Sequence, residues 1–359
     1  MELGPVVPSE IQVEILEWVY RLEQSNDFVD RKTLLASSLV CKSWKPISQS
    51  LLFRRGPQIL TEDDAAIFIS ILRENPTLGT YVRSLRILGL FSHESDKPRV
   101  NTEQTITLLG LCPQLLDLTF FTETELTTDE LARIQALDLQ LVRLQFPGLI
   151  RQLYEIAILW PTIRFMQCGV STGPFDSVVP PQTGPPFTLE GVQIAYGTAE
   201  DSPFMPWLLK DSSSPFELEI LMDLLASSSL GALATYSYRI RLLSVTPFPP
   251  QSILNQLPAL EELIVGELPP EQRVLPQTVR HFGYHHRYTH WPPVLVERMD
   301  ILLQMLRLLP DLRVVSATRA IESWKLLYLE QECRGIAVEF AIYRDWKSFP
   351  RAHNVDWLD

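Results

Sequence analysis

Val7-Pro8-Ser9-Glu10-Ile11, and the later run Leu34-Leu35-Ala36-Ser37-Ser38-Leu39-Val40-Cys41-Lys42-Ser43-Trp44, decide how this chain is read. Proline has no N–H to waste in a first helical turn, serine can cap, and Glu10 sits where the helix dipole favours a negative charge. Ile11, Ile15, Leu16, Val19 and Leu22 then recur at helical spacing and predict one apolar stripe. Val13 and Trp18 fall off that stripe, so the helix is greasy on more than one side, which points to a partner surface besides its own core. Gln24 to Asp30 is polar and reads as a loop, with Asp30 placed to cap a second helix carrying Leu34, Leu35, Leu39 and Val40. A third element, Cys41 to Phe53, offers Trp44, Ile47, Leu51, Leu52 and Phe53 as apolar positions. Its Pro46 is tolerable only if that helix starts near Lys42, where the first N–H groups lack partners anyway. Three helices this short bury little apolar surface, so the module is expected to gain stability by docking, either on an external adaptor or on the domain behind it.

Residues 5–54 resemble an F-box, the module that docks on the Skp adaptor of cullin-type ubiquitin ligases. The most specific part is Leu39-Val40-Cys41-Lys42-Ser43-Trp44 together with Leu51-Leu52-Phe53-Arg54. The chain departs from the family in having Val7-Pro8 where Leu-Pro is usual, and in a longer loop near Glu23 to Arg31. The resemblance implies a Skp-family adaptor and, through it, a cullin as partners. It implies Pro8, Ile11, Ile15, Leu35, Leu39, Val40, Trp44 and Ile47 as the adaptor-facing residues. It also implies a receptor, not an enzyme, with the rest of the chain choosing a protein substrate.

Behind residues 5–55 one phrase returns: a proline, a variable residue, an apolar residue, then alternating apolar positions. Its clearest copies are Pro113 to Phe120, Pro161 to Met166, Pro258 to Val265 and Pro310 to Val315. Weaker ones are Tyr81 to Leu88, Leu139 to Phe146, Phe216 to Leu221, Ile240 to Val245 and Pro276 to Phe282. Each predicts a short strand, and helical stretches precede several: Asp64 to Leu72, Thr102 to Leu111, Thr128 to Ala136, Leu149 to Leu159 and Val294 to Leu309. Copies starting at 82, 115, 139 and 163 are 33, 24 and 24 residues apart, the last two within the range of leucine-rich repeats. The family's asparagine or cysteine is mostly missing, with Cys168 as one remnant. The expected fold is therefore α/β: an N-terminal three-helix F-box, then an irregular leucine-rich repeat solenoid over 60–350. Divergent leucine-repeat F-box proteins abundant in mushroom-forming fungi are the family it resembles.

The stretch 171–215 interrupts the pattern with Gly173-Pro174, Pro180-Pro181, Gly184-Pro185-Pro186 and Ser212-Ser213-Ser214-Pro215, too much proline and glycine for regular structure. Within it, Phe187 to Tyr196 can still form a strand. A long loop on a rigid frame is a place for recognition residues or a silent insertion. Substrate contacts are expected there or on the strand face.

With 31 basic and 43 acidic residues the formal charge is −12, which argues against nucleic acid or anionic lipid as partner. No apolar run is long enough to predict a membrane span, the N-terminus lacks the features of a signal peptide, and four cysteines stand without paired spacing. Cytoplasm or nucleus, or both, is the expected compartment. No phosphate loop, nucleophile elbow, Cys-x-x-Cys or His-Glu-x-x-His motif occurs. His281, His285, His286 and His290 cluster, but Gly283, Tyr284, Tyr288 and Trp291-Pro292-Pro293 around them read as strand and loop, without an interleaved carboxylate or thiol ligand. No metal and no cofactor are expected. The alternative function is a repeat-protein scaffold without ligase activity, whose first helices pack permanently on the repeats behind them.

Overall fold

The computed structural model describes residues 8–22, 31–40, 42–88, 100–120, 126–148, 153–170, 181–195, 207–208, 216–220, 234–245, 248–284, 296–318 and 323–343. Contacts divide the chain between Gln145 and Phe146 into two compact units. Each is mixed α/β, and its strands pair in parallel.

The first unit begins with α1 (Ser9–Leu22), α2 (Arg31–Val40) and α3 (Trp44–Arg54). The Gln12 N–H donates to the Pro8 carbonyl at 3.1 Å, so Pro8 holds the cap position and Ser9, expected as a cap, is already helical. The α3 helix starts at Trp44, which leaves Pro46 in the first turn where no carbonyl awaits its missing N–H. Leu16, Leu34 and Leu51, one from each helix, form the buried core, and Trp44, Ile47 and Leu52 pack against it. Of the stripe expected on α1, Leu16 faces inward as expected, but Ile11 and Ile15 are exposed and Gln12 takes an inward position instead. The side chains of Trp18, Val19 and Leu22, the loop before Asp30, Asp30 itself and Cys41 lie outside the described residues.

The α3 helix runs directly into β1 (Arg55–Ile59), followed by α4 (Glu62–Glu74), α5 (Pro76–Gly79), β2 (Ser84–Ile87), α6 (Thr102–Leu111), β3 (Asp117–Phe120), α7 (Thr128–Gln135) and β4 (Arg143–Gly148). Three of these helices open with a reciprocal capping box: Thr61 with Asp64, Asn101 with Gln104, and Thr127 with Glu130. β1 to β4 pair in chain order, Ser84 opposite Asp117 and Asp117 opposite Arg143. Parallel neighbours cannot be joined by a tight turn, so the chain crosses back between them, using a helix each time.

The second unit repeats that plan with β5 (Phe165–Val170), β6 (Gly191–Ala195), β7 (Phe216–Ile220), β8 (Ile240–Val245), β9 (Glu262–Val265), β10 (His281–Tyr284), β11 (Val314–Thr318) and β12 (Glu339–Tyr343). These also pair parallel in chain order. Its helices include α8 (Leu153–Ala157), α9 (Gln251–Leu254), α10 (Val296–Leu306) and α11 (Ser323–Gly335). Part of the proline-rich stretch is anchored. The Trp207 ring meets Tyr154 of α8 edge-on at 4.9 Å, and its indole N–H donates to the Thr183 carbonyl at 2.8 Å.

The recurring proline has a local cause. Leu115, Ile163 and Leu260 each donate an N–H to the carbonyl three residues earlier, of Cys112, Trp160 and Leu257. Pro113, Pro161 and Pro258 thus sit at the second position of a β-turn, where a fixed φ is already correct. The residue closing the turn is buried, and so are those three and five positions on: Leu115, Leu118 and Phe120; Leu260, Leu263 and Val265. The same buried triplet recurs as Val82, Leu85 and Ile87; Leu141, Leu144 and Phe146; Val279, Phe282 and Tyr284; and Leu312, Val315 and Ala317. One face of every such strand feeds the core, and the intervening residues form the other face.

Candidate partner-binding surface

Six of the eight residues expected to face an adaptor are exposed, and all six lie at the start or on the surface of α1 and α2. Pro8 is at the helix start, Ile11 is 44% and Ile15 43% exposed on α1, and Leu35, Leu39 and Val40 are 51%, 84% and 67% exposed on α2. Val13 adds to this apolar surface at 36%. Ile11 and Ile15, like Leu35 and Leu39, are four residues apart and so share one side of their helix. Trp44 and Ile47 sit elsewhere: they are half-buried against Leu16, Leu34 and Leu51, and support the helices from within. Burying methyl-rich side chains is worth roughly 1.5–3 kcal/mol each. Holding this many in water is a cost that a covering partner would remove.

The non-core strand faces carry polar networks that composition and motif searching did not reveal. In the first unit this face presents Arg55 from β1, Ser84 and Arg86 from β2, Asp117 and Thr119 from β3, and Arg143 and Gln145 from β4. The Ser84 hydroxyl donates to the Asp117 carboxylate at 3.3 Å, and the Thr119 hydroxyl to Gln145 Oε1 at 3.0 Å. Burial pushes the Asp117 carboxyl above its ordinary range, while Arg143, Arg86, the Ser84 hydroxyl and Arg55 pull it back. In the second unit His281 bridges its neighbours: Nδ1 lies 3.2 Å from Glu262 Oε2, and Nε2 2.6 Å from Ser316 Oγ.

Serine, histidine and carboxylate in that order are the residue types of a nucleophilic triad. Ser316, however, is fully buried, so a substrate carbonyl has no path to its oxygen. The arrangement satisfies polar groups within the sheet. Of the histidine cluster only His281 is described; His285, His286 and His290, with Tyr288 and Trp291, lie outside the described residues. Among the described residues no group of three or more His, Cys, Asp or Glu could hold a metal ion. Cys112 and Cys333 are free and buried, their thiols pushed up to about 12 and about 11 by burial. They are therefore protonated and poor nucleophiles at neutral pH. Among the described residues no helix is long and apolar enough to cross a membrane.

The arginines of the strand face are signalled in the sequence only by alternation, as in Leu85-Arg86-Ile87, where a charged residue between two buried ones must point away from the core. Compared with known protein families and with curated proteins, the chain matches no family model and no curated protein.

Proposed function

We propose that the chain is a non-catalytic substrate-recognition subunit of an SCF-type ubiquitin ligase, docking through α1 and α2 on a Skp-family adaptor and, through it, on a cullin. The observation that carries this reading is the exposed apolar surface of Ile11, Val13, Ile15, Leu35, Leu39 and Val40 on three short helices with a small core of their own. It is supported by the F-box-like sequence beneath that surface. These side chains are not covered by the following elements, which leaves the surface open to a partner. The remainder of the chain is read as a divergent leucine-rich repeat solenoid that binds a protein substrate. Buried triplets spaced like Leu-x-x-Leu-x-Leu and parallel strands in chain order support it.

The test is capture of the full-length chain by the cognate Skp-family adaptor. Wild type should be retained at micromolar concentration. The double change Ile11→Asp with Leu39→Asp should abolish retention while leaving the thermal transition in place, since both side chains already face water. Failure of wild type to bind, or undiminished binding by the double variant, refutes the adaptor assignment.

A further inference from the structure

The residue at or just before each strand donates its N–H to the carbonyl of its counterpart one strand earlier, which lines these positions up in rows. In the second unit such a row carries both signs and pairs in part with itself: Arg164 with Glu190, and Glu261 with both Arg241 and Arg280, while Arg313 follows Arg280 and Glu339 follows Arg313. In the first unit the row is Arg54, Arg83, Leu116, Val142, and it contains no acidic residue. Beside it, on the strand face, stand Arg55, Arg86 and Arg143, with Asp117 as the single carboxylate among them. The crowding is felt locally. The Arg83 guanidinium is held below its ordinary range by burial and by the like charge of Arg54. Arg86 makes no contact ion pair among the described residues and acts on Asp117 through space. A chain with a formal charge of −12 has thus gathered positive charge on one face.

We infer that this strand face of the first unit binds an acidic polypeptide segment, with Arg55, Arg86 and Arg143 contacting its carboxylates. Charge complementarity names the occupant, and geometry chooses among anions. β1 and β4 are three strand spacings apart, each about 4.8 Å, so the arginines are spread along a line too long for one small anion. An extended segment laid across the strands brings several carboxylates to them. Guanidinium groups bind carboxylates in forked pairs, and the half-buried setting strengthens each contact relative to open water. The inference rests on the receptor reading in taking this face as the substrate side, yet its contacts are separate from those of α1 and α2.

The experiment is fluorescence anisotropy with a labelled octaglutamate peptide, and octaglutamine as the neutral probe, on the full-length chain. Octaglutamate should bind, octaglutamine should not, and added salt should weaken the complex. Arg86→Gln should lower affinity about tenfold, the scale of one charge-assisted hydrogen bond. Arg133→Gln, which removes the same charge from the surface of α7, should leave affinity within about twofold. Gln58→Arg, placed opposite Arg86 on the exposed edge strand, should raise it. A folding defect can only lower binding, so this gain separates recognition from damage. No octaglutamate binding, equal losses in Arg86→Gln and Arg133→Gln, or no gain in Gln58→Arg each overturns the inference. Adaptor capture measured on the same preparations keeps the two proposals apart: peptide binding lost with capture intact rejects only this one.

Discussion

Asp117 shows how a single carboxyl on the strand face answers to opposing influences. Burial raises its folded pKa above the ordinary 3.8, and three arginines with one serine hydroxyl only partly reverse that. A raised folded pKa for an acid means the folded state prefers the proton. The contribution to stability is therefore full below pH 3.8 and lost as pH rises through the elevated folded value. Asp117→Asn keeps the hydrogen bond to Ser84 and removes the ionisation, so it should raise the melting temperature at pH 7. That gain should shrink as the pH is lowered toward 4. Thermal melts at stepped pH measure it, and a gain that grows on acidification would reverse the sign and refute the balance between burial and the arginines. None of this was legible in the sequence. Asp117 there reads as one more polar residue between Leu116 and Leu118, and the arginines that surround it come from positions 55, 86 and 143. Only strand register brings them together.

At the scale of elements, legibility followed local mechanism. Strands introduced by a proline turn were readable because Pro-x-Leu fixes both the turn and the first core contact, as in Pro113-Gln114-Leu115 before β3. β1 escaped because Arg55-Gly56-Pro57-Gln58-Ile59 shows no alternation. Its proline is tolerated in an edge strand that pairs on one side, with a register shift between Arg55 and Gln58. α11 escaped as well, since Ser323 to Gly335 mixes apolar and charged residues without a clear stripe. Its end makes a direct prediction. Ala337 has φ of 59°, the left-handed region, while Val338 N–H reaches the Cys333 carbonyl at 3.0 Å in the bond that closes a helix before a glycine. Alanine there is strained by roughly 1–2 kcal/mol. Ala337→Gly relieves the strain but adds unfolded-chain freedom worth about 0.4–1 kcal/mol, for a net gain near 0.5–1 kcal/mol. Chemical denaturation should show the midpoint rising with an unchanged slope. A lower midpoint would mean that the left-handed backbone at this position is not the native one.

At the scale of the whole molecule, the proposed receptor role requires that two partners be held at once. The apolar residues assigned to the adaptor, Ile11 to Val40, precede α3, and the arginines assigned to the acidic segment begin at Arg55, one residue past its end. No residue serves both sets. α3 nevertheless joins them: it carries Trp44 and Ile47 against the core under α1 and α2, and delivers Arg54 and Arg55 to the strand side. A buried core resists small displacements because it is close-packed, so occupation of one surface should not reshape the other. Octaglutamate affinity measured with saturating adaptor should therefore agree within about twofold with the value for the chain alone, a coupling of less than about 0.5 kcal/mol. Competition would be decisive in the other direction. If adaptor displaces the peptide, the two surfaces overlap, and a receptor holding adaptor and substrate together is excluded for this arrangement of residues.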